Sequence, residues 1–183
     1  MLTQTSIKRL EVNQKYNVFE LLYLLLLESS NEAAQTLSYF LGPQKFVQLM
    51  NLKARAIGME NSHFVDAAGM EAENISTAQD LAILAKYLYF NRRFILDISQ
   101  GKEYYIFNFR FSNLLQNFNK LEEKEFIGGK VGLSKVSGET ALSLFEININ
   151  NQKRPIAIVA LGSSDSKKDT EKILNWIKSV YLQ

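Results

Sequence analysis

Apolar positions along the chain follow two periods, and the change from one to the other falls near Gly101. The opening "TSIKRLEVNQKYN" is polar and mixed, and predicts an extended lead-in with no helical stripe. "VFELLYLLLL" (Val18 to Leu27) is almost wholly apolar and predicts a buried helix; it is too short to span a bilayer and contains Glu20. In "PQKFVQLMNLKARAIGM", Phe46, Val47, Met50, Ala54 and Ile57 recur at helical spacing. Pro43 suits the first turn of that helix, and Gly58 suits the residue just past its end. "STAQDLAILAKYLYF" offers Ser76 and Gln79 at capping-box spacing, ahead of a face made by Leu81, Leu84, Ala85 and Leu88.

After Gly101 the period becomes two. In "YYIFNFRFSN", Tyr105, Phe107, Phe109 and Phe111 alternate with Ile106, Asn108, Arg110 and Ser112, which predicts one strand with an aromatic face. "ETALSLFEININ" and "RPIAIVALGS" predict an antiparallel hairpin turning at Asn150-Asn151. In "DTEKILNWIKSVYL", Ile173, Leu174, Trp176, Ile177, Val180 and Tyr181 share a helical face, which should lie across the sheet. The expected class is α+β in a single domain over residues 1–183. A helical part covers about 17–100, and an antiparallel sheet with a packed C-terminal helix covers about 101–183.

Composition narrows the chemistry. The chain has 183 residues, 46% hydrophobic and 22% charged, enough to bury a core. Its formal charge of +2 comes from scattered basic residues, so nothing argues for nucleic acid as a partner. Without cysteine there is no disulfide or thiolate metal site, and one histidine, His63, makes a histidine-based metal site or a Ser-His-Asp triad a poor expectation. No metal and no organic cofactor is implied. "MLTQTSIKRL" lacks the apolar core of a signal segment.

Two short stretches carry candidate chemistry. In "EFIGGKVGLSKVSGETALSLFEI", Lys130 sits between Gly128-Gly129 and Val131-Gly132, where glycine marks a bulge or the close approach of another backbone or a ligand. In "LLLLESSNEAAQTL", Ser29 and Asn31 stand between two helical runs. Ser29 and Glu32 also have capping-box spacing, so a helix cap competes with a chemical role.

The order of these stretches resembles a known family. Ser29-x-Asn31 before "EAAQTL", then "FVQLMNLKARAIGMENSHFVDAAGM", "NISTAQDLAILAKYL", "FSNLL" and "GGKVGLSKVSGETALSLF", is similar to the D-alanyl-D-alanine carboxypeptidases, penicillin-binding serine peptidases of peptidoglycan. The family writes these segments as Ser-Gly-Asn-Asp-Ala-Ala, a Met-Asn, Leu-Gly-Met and His-Phe run, a Gly-Leu loop, Ser-Thr-Ala-x-Asp, Asn-x-Asn-x-Leu-Leu and Gly-x-Lys-Thr-Gly-Tyr-Thr. The likeness runs from about Lys15 to Ser163. It implies a β-lactamase/transpeptidase-like fold, a location outside the cytoplasmic membrane, and peptidoglycan stem peptides and β-lactams as partners. By the motif, Ser29 would relay a proton to the leaving amine and Asn31 would hold the substrate or a lysine. Lys130 would face the terminal carboxylate, with Val131, Gly132 and Ser134 lining the same strand. The glycines would let a peptide add to that strand.

The chain also departs from the pattern. The family's nucleophile motif, Ser-x-x-Lys, is not spelled upstream of Ser29, and the formal match Ser99-Gln100-Gly101-Lys102 is read as a coincidence, since members of the family it resembles carry similar residues there without catalytic use. The expectation is a fragment lacking the N-terminal part of the family fold, with any membrane association residing in segments absent here. A non-catalytic peptide-binding relative and a decaying pseudoenzyme are the alternatives. Val131 replaces the family's threonine, and a lost hydroxyl to a carboxylate costs about 1.5–3 kcal/mol.

Overall fold

The computed structural model describes residues 3–6, 10–106, 109–112, 117 and 119–182. Helices α1 (Val18–Leu27), α2 (Asn31–Leu41), α3 (Pro43–Ala56), α4 (Ala78–Asn91) and α5 (Arg93–Gln100) form the first part. The sheet strands β4 (Phe126–Ser134), β5 (Gly138–Ile149) and β6 (Gln152–Ser163) and the helix α6 (Ser166–Tyr181) form the second. Strands β1 (Thr3–Ser6), β2 (Tyr104–Ile106) and β3 (Phe109–Ser112) make a separate small sheet in the order β1-β3-β2.

The main sheet is antiparallel in the order β4-β5-β6, and period-two alternation sorts its side chains onto two faces. Leu142 and Leu144 of β5 join Ile127, Ala85 of α4 and Leu96 of α5 on one face. Phe145 and Ile147 join Phe126, Ile158, Leu121 and Leu174 of α6 on the other. A third cluster, built on Leu21, Tyr23, Leu24 and Leu27 of α1, takes in Ala33 of α2 and Ile98 of α5. Helix α5 therefore ties the helical part to the sheet. Its Ile98 reaches α1, while Leu96 and Ser99 reach β4.

Several expectations need correction. The "YYIFNFRFSN" stretch is two strands, not one: Tyr104 pairs with Phe111, Tyr105 with Arg110 and Ile106 with Phe109. Phe107 and Asn108, between the two strands in sequence, lie outside the described residues. On α6, the inward stripe is narrower than the sequence face. Ser166, Thr170 and Leu174 are buried at i, i+4, i+8 and Ile177 is half-buried, while Trp176 is 62% exposed. A helix lying on one sheet buries only the residues that project directly down, and the flanking Trp176 and Val180 miss it. The cap of α4 is Thr77, whose hydroxyl accepts the Asp80 amide, and not Ser76. Ser76 instead hydrogen-bonds Ser62. The start of α3 at Pro43 and the left-handed Gly58 after it are as the sequence predicts.

Candidate active site

The last turn of α1 and strand β4 are held together by one side chain. Asn119, almost fully buried, donates through Nδ2 to the Leu26 carbonyl and accepts the Val131 amide at 2.9 Å through Oδ1. Ser29 follows Leu26 by three residues and Lys130 precedes Val131 by one, so this link brings them together. Lys130 Nζ lies 2.7 Å from Ser29 Oγ across 101 residues of chain, and it also donates to the Val131 carbonyl. Among the described residues no carboxylate pairs with this ammonium. Burial pushes the Lys130 pKa down to about 8, because removing water penalises the charged form.

Ser29 is not the helix cap. The α2 cap is Ser30, whose hydroxyl accepts the Ala33 amide at 3.1 Å. Ser29 sits at φ 55, a left-handed conformation that costs a residue bearing a Cβ about 1–2 kcal/mol. Ser30→Ala is expected to lower stability by about 1 kcal/mol, the usual worth of an N-cap. Ser29→Gly is expected to leave it level or slightly raised, since glycine adopts this backbone freely. Urea titrations measure both, and the opposite ranking would return the cap to Ser29.

Asn31, in the first turn of α2, shares no hydrogen bond with Lys130 among the described residues; its Nδ2 donates to the Met70 sulfur at 3.1 Å. Met70 is presented by a loop organised on Asp66, whose carboxylate accepts the amides of Ala68, Gly69, Met70 and Glu71 and the side chain of Asn74. Burial alone would raise the Asp66 pKa, but these donors hold it below the ordinary value. Beyond Met70 an open groove of about 640 Å³ runs between α2, α3 and this loop, past Gln35, Gln48, Asn51 and His63. Met70 lines it, whereas Ser29, Asn31 and Lys130 do not.

The glycines around Lys130 meet the expectation of a close backbone approach, and the approaching backbone at Gly128 and Gly129 is the protein's own. A Cβ on Gly128 would lie 2.5 Å from the Leu96 carbonyl oxygen, one on Gly129 would strike the Leu142 carbonyl, and one on Gly132 would lie 2.9 Å from Thr140 Oγ1. They let α5 and β5 close on β4. The outer edge of β4 is also partly taken. The Gly129 amide donates to Ser99 Oγ at 3.0 Å and the Val131 amide to Asn119. Alternate residues face the same edge, so the next outward backbone groups belong to Leu133, which is 78% exposed. Ser134 lies at the β4–β5 turn, where its hydroxyl accepts the Ser137 amide.

The formal Ser99-x-x-Lys102 match is not a site. Ser99 is buried, bonded to Leu96 and Gly129, and Lys102 pairs with Asp97 at 2.8 Å. Among the described residues no group of three or more histidine, aspartate or glutamate side chains could hold a metal. No described helix is long and apolar enough to cross a membrane. Sequence reading missed Asn119. "FSNLL" was matched to the Asn-x-Asn-x-Leu-Leu pattern, yet Asn117-x-Asn119-x-Leu121 fits its first five positions and carries the structural link; Asn113 lies outside the described residues.

Residues 2–164 match the D-alanyl-D-alanine carboxypeptidase family. The chain belongs to that family. It is 33% identical over 150 residues to a D-alanyl-D-alanine endopeptidase of Haemophilus influenzae, covering 80% of this chain and 51% of that protein. It is 28% identical over 178 residues to a D-alanyl-D-alanine carboxypeptidase of Bacillus subtilis, covering 95% of this chain and 45% of that one. The chain thus spans about half the length of the curated relatives it matches. A penicillin-binding protein from Listeria monocytogenes, solved with cefotaxime bound, superposes with a TM-score of 0.73 at 26% identity over 90% of this chain and 68% of that one. The fold is of the β-lactamase/transpeptidase type, with the α+β organisation expected from the sequence.

Proposed function

We propose that this protein is a serine-type D-Ala-D-Ala carboxypeptidase acting on peptidoglycan stem peptides outside the cytoplasmic membrane, with Ser29, Asn31 and Lys130 in its catalytic apparatus. The observation that carries the reading is the 2.7 Å contact between Lys130 and Ser29, two residues from the distant stretches that carry the resemblance, both inside the 2–164 span that matches the family. A lysine without a carboxylate partner attracts the terminal carboxylate of a peptide and stabilises it by charge. The Ser29 hydroxyl, held against that lysine, can pass a proton to the departing amine. Asn31 fixes the Met70 side of the site. The β4 edge from Gly132 outward, with Val131 behind it and Ser134 at its end, offers the backbone groups of Leu133 to an extended peptide. β-Lactams, one of which occupies the Listeria relative, are the second expected ligand class.

The test is release of D-alanine from an acylated Lys-D-Ala-D-Ala peptide by the complete gene product. Lys130→Ala is expected to lower kcat/KM by roughly 100-fold or more, in line with the loss of a charged partner to a substrate carboxylate. Unchanged kinetics would remove Lys130 from the site. No release by the unaltered protein, with retained peptide binding, would favour the non-catalytic reading.

A further inference from the structure

We infer that Met70 is a site of reversible methionine oxidation whose sulfoxide oxygen captures the side-chain amide of Asn31. The chain has no cysteine, so its oxidisable sulfur lies in four methionines. Met1 lies outside the described residues, Met59 is 2% exposed and Met50 is half-buried, whereas Met70 is 64% exposed. The Met70 sulfur already accepts a hydrogen bond from Asn31 Nδ2 at 3.1 Å, which engages one of its lone pairs and leaves the other for an oxidant. The family's Gly-Leu loop reads Gly69-Met70 here, so this sulfur is a departure of the chain from the pattern it matches.

The oxidant is a peroxide. A sulfur lone pair attacks one peroxide oxygen, the O–O bond breaks, and the second oxygen leaves as water, carrying the proton of the first. Sulfur loses two electrons and the peroxide gains them. The change acts on Asn31 because the Met70 backbone cannot retreat: the Asp66 carboxylate accepts its amide at 2.9 Å and also takes the amides of Gly69 and Glu71. A thioether sulfur is a weak acceptor, whereas the sulfoxide is polar and carries a full oxygen acceptor. Asn31 Nδ2 therefore exchanges the sulfur for this oxygen and is held more firmly on the Met70 side. The consequence for the reaction proposed above, withdrawal of Asn31 from its part in it, rests on that reading; the modification itself does not.

The experiment treats the isotope-labelled 183-residue chain with hydrogen peroxide, following peptide mass at each methionine and the side-chain amide resonances of Asn31 by NMR. The expected result is oxidation of Met70 at least ~10-fold faster than Met59 and severalfold faster than Met50, because susceptibility follows exposure. The Asn31 resonances should move in step with the Met70 sulfoxide. They should return when methionine sulfoxide reductases, one for each epimer, remove the oxygen. In Met70→Leu, a swap that keeps the volume and removes the sulfur, the same treatment should leave Asn31 where it is. Oxidation of Met70 no faster than Met50, a Met70 sulfoxide that leaves Asn31 unmoved, or an equal shift in Met70→Leu would overturn the inference. Neither readout needs turnover, so failure here is distinct from failure of D-alanine release by the complete gene product.

Discussion

Replacing Lys130 with methionine is expected to make the chain more stable at pH 7, by about 1–2 kcal/mol, while removing the chemistry proposed for its site. The gain has a definite origin. Folding takes the ammonium from water into a site where burial lowers its pKa from 10.5 to about 8. A shift of that size corresponds to about 3 kcal/mol against the charged form. The hydrogen bonds from Nζ to Ser29 and to the Val131 carbonyl return part of it, at about 1 kcal/mol each. Methionine fills a similar volume and needs no water.

The pH dependence fixes the sign. Below about pH 8 the lysine is charged in both folded and unfolded chains, and the burial cost is present in full. Between about 8 and 10.5 the unfolded chain still holds a proton that the folded chain has lost, so the stability of the unaltered protein rises with pH. Lys130→Met lacks that rise, and its advantage should shrink through the window and vanish near its top. Urea unfolding of both proteins at pH 7 and pH 10 measures the difference, with the other titrating groups cancelling. A variant less stable at pH 7 would mean that the amine is not desolvated in the fold. A stabilising substitution at Lys130 is what the proposed site, storing cost for chemistry, should give.

How much of this could be read from the sequence depends on the range of the interaction. The buried helix at Val18–Leu27, the proline start of α3 and the β5–β6 hairpin follow from local periodicity and turn chemistry, and all three are present. Local rules failed where two neighbouring residues can do the same job. Ser29 and Ser30 are both plausible caps, as are Ser76 and Thr77, and the choice depends on which hydroxyl reaches the third amide. The amphipathic face of α6 was overestimated because hydropathy shows which residues could be buried but not how wide the sheet beneath them is. The Ser29–Lys130 meeting was legible only through family order, since no local property of either stretch points to the other. Its physical cause, the Asn119 bridge between Leu26 and Val131, joins positions 93 residues apart on one side and 12 on the other. Single-sequence patterning carries no signal for such a contact.

Gly128→Ala should be the most damaging single substitution near the site, costing on the order of 3–5 kcal/mol, typical of a clash added to backbone strain. Two penalties coincide. Gly128 stands at φ 133, which L residues rarely adopt, and its missing Cβ would lie 2.5 Å from the Leu96 carbonyl oxygen and 2.6 Å from Ser99 Oγ. The backbone of α5 cannot rotate out of the way as a flexible side chain could. Relief therefore requires β4 and α5 to separate, which breaks the Gly129 amide bond to Ser99 and uncovers Leu96 and Ile127. Lys130 lies two residues further along the same strand, so any surviving fold should also lose the Ser29 contact. Gly58→Ala separates strain from clash, because Gly58 has φ 92 but nothing within 4 Å of its absent Cβ. That variant should lose about 1 kcal/mol. For a chain of this size, thermal melts should then show a drop of about 10 °C or more for Gly128→Ala and only a few degrees for Gly58→Ala. Equal losses would mean that positive φ alone accounts for the glycine, and that the close approach of α5 to β4 is not what fixes Lys130 in place.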